Sequence, residues 1–413
     1  MKHSFIPELL SPAGNPEKLR FALQYGADCV YLAGKRFGMR AAADNFSDSE
    51  LIDAVTYAHS LGKKVYLTLN TMPRSSEIRE LEEYLIFLQQ VKPDAVIVAD
   101  LGVFTLCQKH LPTVPIHIST QGANVNYLSC QRWFEMGAKR IVLARELSFE
   151  DIALIRQNTS PELELEVFIH GAMCVSFSGR CLLSEFYTGR DANRGSCTQP
   201  CRWIYRFSEE KRPNDILEGE FHSNEGTYIF GSKDLCMIEH IPKLMQTGIN
   251  SFKIEGRMKS SYYAAAVTNA YRIAIDTYLK DPKNYRLQEA LTQELQGVSH
   301  REYCTGYFFN HPLQENNLAS FSGYLKEKAY LALVEESTDT NGLSLCIQKN
   351  KMSLTDSIEV LSPGQTGKSV TIEGLFDKEG TPITSTPHPQ MPFYIKASIP
   401  LKKGDILRAA NVV

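Results

Sequence analysis

The chain has 413 residues, 43% of them hydrophobic and 22% charged, which suits a large core-forming domain with a smaller one and excludes a disordered polymer. A formal net charge of −3 excludes a wholly basic nucleic-acid binder but leaves room for a local basic patch. No stretch approaches the about 18 consecutive apolar residues of a membrane span. Met1–Pro7 carries no apolar run with a cleavage site, so a cytoplasmic protein with no membrane partner is expected.

In chain order, the first half alternates short apolar runs with helical segments. Pro7–Ala13 reads as a strand, and Asn15-Pro16-Glu17 opens a helix with a capping residue and a first-turn proline. Strands follow at Cys29–Ala33, Val65–Leu69, Ala95–Ala99, Ile116–Ser119, Arg140–Ala144 and Leu163–Ile169. Between them lie helices at Asp48–Leu61, Ser76–Gln90, Val103–His110, Tyr127–Met136 and Phe149–Asn158. The rhythm then stops for roughly sixty residues, far longer than an ordinary connection. It resumes with a helix near Leu235–Met245, an eighth strand at Ser251–Ile254 and a long helix at Tyr262–Leu279.

Eight strands alternating with helices predict an α/β fold, a TIM-like (β/α)8 barrel over residues 1–310 with a cysteine-rich insertion at about 171–230. A doubly wound open sheet is the alternative. Barrels of this kind place their chemistry at the C-terminal ends of the strands. Six strands here run into a polar residue: Asn70, Asp100, Gln121, Glu146, His170 and Glu255. After Asn310–Phe321, which reads as a linker, the texture becomes β-rich and turn-punctuated. Runs at Tyr324–Glu336, Leu343–Lys349, Ser357–Val360, Ser369–Ile372, Pro392–Ala397 and Gly404–Arg408 predict a small C-terminal all-β barrel domain over residues 322–413.

Ten cysteines are many for a reducing compartment, where clustering points to metal binding or catalysis rather than disulfides. Cys29, Cys107, Cys130, Cys236, Cys304 and Cys346 are scattered and read as small apolar residues, Cys236 least securely. The other four fall on the long segment after strand seven as Cys174-x6-Cys181-x15-Cys197-x3-Cys201. Four thiolates on one loop suit tetrahedral zinc or a four-iron cluster. The loose spacing, the glycines at 171, 179, 189 and 195, and apolar cover from Met173, Phe177 and Trp203 favour the larger group over zinc.

Residues 166–184, EVFIHGAMCVSFSGRCLLS, contain Glu-x-Phe-x2-Gly-Ala-Met-Cys-x4-Gly-x-Cys-x-Leu-Ser. This pattern resembles the signature of the U32 peptidase-like family at every position. Glu8–Gly14 (ELLSPAG), Tyr25–Asp28 (YGAD), Asn193–Trp203 (NRGSCTQPCRW), Ser232–Leu235 (SKDL) and Lys253–Arg257 (KIEGR) resemble it too, so the likeness covers nearly the whole chain.

It is nearest to a tRNA-hydroxylating branch. That resemblance implies oxygen-independent, prephenate-dependent conversion of the wobble uridine of tRNA to 5-hydroxyuridine. It implies a [4Fe-4S] cluster on Cys174, Cys181, Cys197 and Cys201, with Cys236 as reserve for the fourth ligand and zinc as the alternative metal. It implies tRNA as partner and an electron donor such as ferredoxin. The family name also implies peptidase activity, including collagenase-like proteolysis. The residues give that little support, with no Gly-x-Ser-x-Gly or His-Glu-x-x-His motif. Hydroxylation of ribosomal RNA, or a non-catalytic metal- and RNA-binding role, are further alternatives.

For the chemistry, His170 is a candidate acid/base group. Glu255 is a candidate base or partner of Arg257, and Arg257 a bidentate binder of a carboxylate such as prephenate's. Arg180, Arg190, Arg194, Arg202, Lys233, Lys253 and Lys259 are candidate phosphate contacts, each alternatively a solvated surface charge. Tyr31, Tyr187 and Trp203 are candidate stacking platforms, each alternatively a core residue.

Overall fold

The computed structural model describes residues 6–40, 43–205, 231–310 and 323–410. The expected linker beyond Asn310, and residues 206–230 of the expected insertion, lie outside the described residues.

The strands are β1 (Glu8–Pro12), β2 (Cys29–Leu32), β3 (Lys64–Leu69), β4 (Ala95–Val98), β5 (Ile116–Ile118), β6 (Arg140–Val142), β7 (Glu164–Ala172), β8 (Asp234–Cys236), β9 (Ser251–Ile254) and β10 (Tyr303–Cys304). The helices are α1 (Pro16–Gln24), α2 (Asp48–Ser60), α3 (Ile78–Val91), α4 (Leu101–His110), α5 (Tyr127–Glu135), α6 (Phe149–Gln157), α7 (Leu183–Thr188), α8 (Ile241–Met245), α9 (Ser261–Lys280) and α10 (Glu289–Gln296). Strands β1 to β7 pair in sequence order, all parallel, and β9 pairs parallel with both β7 and β1. Eight parallel strands therefore close into a barrel. Because both faces of each strand are covered, the sequence shows continuous apolar runs rather than alternation. Helices start where a side chain satisfies the free N–H groups of the first turn. Ser47 with Glu50 and Ser148 with Asp151 form capping boxes, and Asn126 and Asp100 cap α5 and α4.

One expected helix takes a different form. The segment read as a helix from Leu235 begins as strand β8, and only Ile241–Met245 is α-helical. Pro242 has no N–H to donate and is tolerated only in a first turn, so α8 starts there. The upstream residues pair instead with the overhanging end of β7, antiparallel, with Cys236 opposite His170. β10 then adds parallel to β8.

By packing, the described residues form two compact units. One holds β1–β10 with α2–α8; the other holds most of α1, α9, α10 and the C-terminal strands. Those strands are β11 (Lys328–Glu336), β12 (Leu343–Gln348), β13 (Ile358–Leu361), β14 (Lys368–Val370), β15 (Ile372–Phe376), β16 (Pro382–Ile383), β17 (Pro392–Ala397) and β18 (Ile406–Ala410). They form an antiparallel half-barrel in the order β14-β13-β18-β11-β12-β17-β15-β16 around Leu331, Val334, Phe393, Ile395 and Leu407. β15 and β16 escape sequence reading because Gly374 and Pro382 interrupt their apolar pattern.

Candidate functional site

The barrel mouth holds a pocket lined by Tyr31, Met39, Arg40, Thr68, Asn70, Ile97, Ser119, Thr120, Gln121, Val142, Arg145, Phe168, Ser178, Lys253, Glu255 and Arg257. Among these is Glu255, one residue past β9. Arg40 Nε stands 3.9 Å from Glu255 Oε1, and Arg145 Nη2 stands 3.6 Å from Oε2. Burial would raise the Glu255 carboxyl. Arg40, Arg145, Arg257 and Lys253 more than offset it, so the group is held below the usual carboxylate range. The Tyr31 hydroxyl donates to the Ile254 carbonyl at 3.0 Å, and burial pushes its pKa well up, so it stays a donor. Three guanidinium groups around one carboxylate leave an excess of positive charge facing a cavity, which suits an anionic ligand.

Three of the six polar strand-end residues, Asn70, Gln121 and Glu255, line this pocket. Asp100 instead accepts from Val103 N–H as the cap of α4. Glu146 lies beside the pocket-facing Arg145, and burial raises its pKa. β7 does not end at His170 but runs to Ala172. His170 is 1% exposed, its ring 5.3 Å from that of Tyr303, and it is not among the lining residues.

Arg257 is buried and donates to the Met39 carbonyl. Lys253, also buried, donates to Glu166 at 2.7 Å and lies 4.5 Å above the Tyr31 ring, inside the barrel rather than on a surface. Arg40 and Arg145 were not anticipated from the sequence. Arg145 immediately precedes the polar residue chosen there, and Arg40 sits in a loop with no periodicity, at a positive φ of 73°.

The cysteine loop rims this mouth. Arg145 Nη1 donates to the Ala172 carbonyl at 2.6 Å, and Arg301, paired with Asp234 in the interior, donates to that of Met173 at 3.3 Å. These carbonyls belong to the two residues before Cys174. Ser178 reaches the pocket itself. Gly195, at φ +87°, packs where a Cβ would lie 3.1 Å from the Arg40 nitrogen and the Gly38 oxygen, so the loop lies against the β2 loop there.

Asn193 donates to the Cys181 carbonyl at 3.1 Å, and the Gln199 N–H points at the Cys197 sulfur at 3.4 Å. The Cys201 thiol is pushed up to about 11 by burial and by Cys174, Cys197 and Cys181, with Arg202 acting the other way. The thiol of Cys201 thus stands within electrostatic reach of the other three, and a bound cation would favour its thiolate. Among the described residues, no three His, Cys, Asp or Glu side chains stand close enough to hold a single metal ion. Cys236 lies on β8 opposite His170, and Cys29, Cys107, Cys130 and Cys346 are buried.

Of the expected phosphate contacts, Arg180 and Arg190 are exposed, and Lys233 is half-buried just before β8. Arg202 is half-buried and bonds Gln199 and the Tyr324 hydroxyl. Arg194 is held bidentately by Glu77 at 2.5 and 2.7 Å. Lys259 belongs to the second unit, where it donates to the Ser299 carbonyl. Tyr31 is a core residue of the barrel, whereas Tyr187 and Trp203 are exposed on the cysteine loop.

A parallel barrel with an arginine-lined mouth and a four-cysteine rim defines a barrel enzyme-like protein whose site lies at the C-terminal ends of the strands. Residues 14–318 match the family described as Peptidase family U32, and residues 326–408 match the Peptidase family U32 C-terminal domain. The chain belongs to peptidase family U32. It is 38% identical to the tRNA hydroxylation protein P1 of Bacillus subtilis over 93% of this chain and 90% of the relative. It is 43% identical to an uncharacterized protease of Methanocaldococcus jannaschii over 77% of this chain and 78% of the relative. It is 36% identical to the 23S rRNA 5-hydroxycytidine C2501 synthase of Escherichia coli over 66% of this chain and 40% of that longer protein. Among the described residues, no helix is long and apolar enough to cross a membrane.

Proposed function

We propose that this chain is an RNA-modifying enzyme of the cytoplasm that hydroxylates the wobble uridine of tRNA to 5-hydroxyuridine without molecular oxygen, with prephenate as co-substrate. The observation that carries this reading is the barrel mouth, where Arg40, Arg145 and Arg257 surround Glu255 beneath a four-cysteine rim. The names of the B. subtilis and E. coli relatives support RNA hydroxylation as the reaction class.

In this reading Arg257, Arg40 and Arg145 bind the carboxylates of the co-substrate, each presenting planar N–H pairs that match a carboxylate. Glu255, kept ionised by those arginines, accepts a proton at a carboxylate oxygen. The target base leaves its stack to enter the mouth. Cys174, Cys181, Cys197 and Cys201 would hold a [4Fe-4S] cluster, which when bound transfers single electrons. Cys174, Cys197 and Cys181 all act on the Cys201 thiol, which supports Cys201 as the fourth ligand, with Cys236 in reserve. Exchanging C5–H for C5–OH with water as oxygen source releases two electrons and two protons, so the redox partner, an electron carrier such as ferredoxin, would take the electrons up one at a time.

The test is nucleoside mass spectrometry of tRNA from an anaerobically grown deletion strain. Loss of 5-hydroxyuridine derivatives, restored by the wild-type chain and not by Cys174→Ala, is expected; an unchanged nucleoside profile sinks the proposal. Anaerobic purification with iron and sulfide analysis tests the metal, and a colourless protein carrying one zinc overturns the cluster. Proteolysis that survives Cys174→Ala would establish the peptidase reading in its place.

A further inference from the structure

The cysteine loop exposes an aromatic face, including the stacking candidates Tyr187 and Trp203, that the chemistry at the barrel mouth does not use. Phe186 is 80% exposed, Tyr187 50% and Trp203 43%, with Leu182 and Ile204 also open to solvent. These rings form one patch centred on Tyr187. Its centroid lies 5.2 Å from Phe186, 6.2 Å from Trp203 and 6.1 Å from Tyr205. The rings are tilted to one another by 87°, 59° and 52°, so they do not stack face to face. Tyr205 is anchored through its hydroxyl to the Pro200 carbonyl at 2.7 Å, beside Cys201.

The same loop concentrates positive charge. From Cys174 to Tyr205 it carries four arginines against two carboxylates, Glu185 and Asp191, in a chain whose net charge is −3. Arg194 is neutralised by Glu77. Arg180 and Arg190 are exposed, and Arg202 is half-buried.

We propose that the Phe186–Tyr187–Trp203–Tyr205 face is a stacking platform for unpaired RNA nucleotides flanking the target base, with Arg180, Arg190 and Arg202 meeting their phosphates. The proposal rests on the RNA-modifying reading of the site and sharpens it: the substrate is taken as a single-stranded loop. Aromatic faces bind every base but only when it is unstacked, and interleaved arginines supply the backbone contacts. A second copy of this chain fits the face less well, because a two-fold contact would bring like-charged arginines together and interface cores are depleted in charge. Duplex RNA keeps its base faces covered and leaves the rings without partners.

The experiment uses the anaerobically purified full-length chain and fluorescence anisotropy. The probes are a labelled uridine-containing single strand of about 12 nucleotides, within the usual reach of such grooves, and the same strand annealed to its complement. Tighter binding of the single strand is expected, with Tyr187→Ala and Trp203→Ala each weakening it about ten-fold. Tyr187→Phe, which keeps the ring, retains binding, and the duplex is bound equally by all variants. The chain has two tryptophans, so in Trp133→Phe the remaining Trp203 reports directly and its emission is quenched by the single strand. Unchanged single-strand affinity in Tyr187→Ala and Trp203→Ala overturns the proposal, as does a preference for duplex or no binding of either RNA. Self-association abolished by Phe186→Ser, with RNA affinity untouched, also overturns it in favour of a protein interface. The nucleoside profile is independent of these results: loss of 5-hydroxyuridine with unaltered affinities rejects the platform and leaves the modification standing.

Discussion

Glu166→Gln tests the charge arrangement inside the barrel. Glu166 is fully buried on β7, accepts from Lys253 Nζ at 2.7 Å and from Arg140 Nη1 at 3.1 Å. Arg140 also meets Glu8 and, at 2.6 Å, Glu164, so it keeps two counter-charges in the variant. Lys253, 4% exposed and seated over the rings of Tyr31 and Phe168, loses the carboxylate that compensates it. Breaking a buried pair by removing one partner costs about 3–5 kcal/mol. Because Arg140 stays compensated, the lower end, about 3 kcal/mol, is expected.

That is a large share of the roughly 5–15 kcal/mol that holds a protein folded, and corresponds to a drop of about 6–12 °C in Tm. Urea unfolding followed by far-UV circular dichroism at neutral pH measures it. Adding Lys253→Met removes the orphaned cation and is expected to recover about 1–2 kcal/mol. The pH dependence has a definite sign. Burial opposes ionisation of Glu166, but Lys253 and Arg140 prevail and its pKa is lowered in the folded state. Its contribution is therefore present above the ordinary carboxylate range and lost as pH falls through that range and below it. Glu166→Gln flattens that acid limb. A variant within about 0.5 kcal/mol of wild type, the range of ordinary surface substitutions, would refute the reasoning.

Three further outcomes follow from the same physics. In the C-terminal unit Arg408 is fully buried and holds Glu294, Glu359 and the Tyr262 hydroxyl. Arg408→Met is expected to cost about 3–5 kcal/mol in urea unfolding, by stranding the buried Glu294 carboxylate. Gly171 has φ +104°, and a Cβ there would lie 2.4 Å from the Glu255 carbonyl oxygen. Gly171→Ala is expected to lose at least about 1–3 kcal/mol in thermal unfolding and to displace Glu255. Arg40→Gln removes one of the three guanidinium groups facing the pocket centre. It is expected to raise KM for the proposed carboxylate co-substrate about ten-fold or more in a tRNA hydroxylation assay, with a smaller effect on kcat.

Much of the barrel was legible in the chain because buried parallel strands are short apolar runs and their helices carry caps. Ser251–Ile254 is an example read to the residue. The reading failed at Leu235, where an apolar run before a proline is equally compatible with helix or strand. There the choice fell to the unpaired edge of β7, which lies 64 residues earlier at Gly171. The polar residues ending the strands were visible as a set, but their duties were not. Asp100 and Asn70 follow equivalent strands, yet one caps a helix and the other lines the pocket.

By itself, the sequence determined the alternation that makes a barrel, the separate β-rich C-terminal region, and the four cysteines collected on one loop after β7. These are local properties, set by periodicity, capping and spacing along the chain. Only the tertiary structure decided what faces the mouth. Closing the barrel brings Arg40, Arg145 and Glu255 together from loops more than a hundred residues apart, and turns Lys253 inward onto Glu166. Charge compensation inside a closed barrel depends on which side chains meet across it, and no local pattern encodes that.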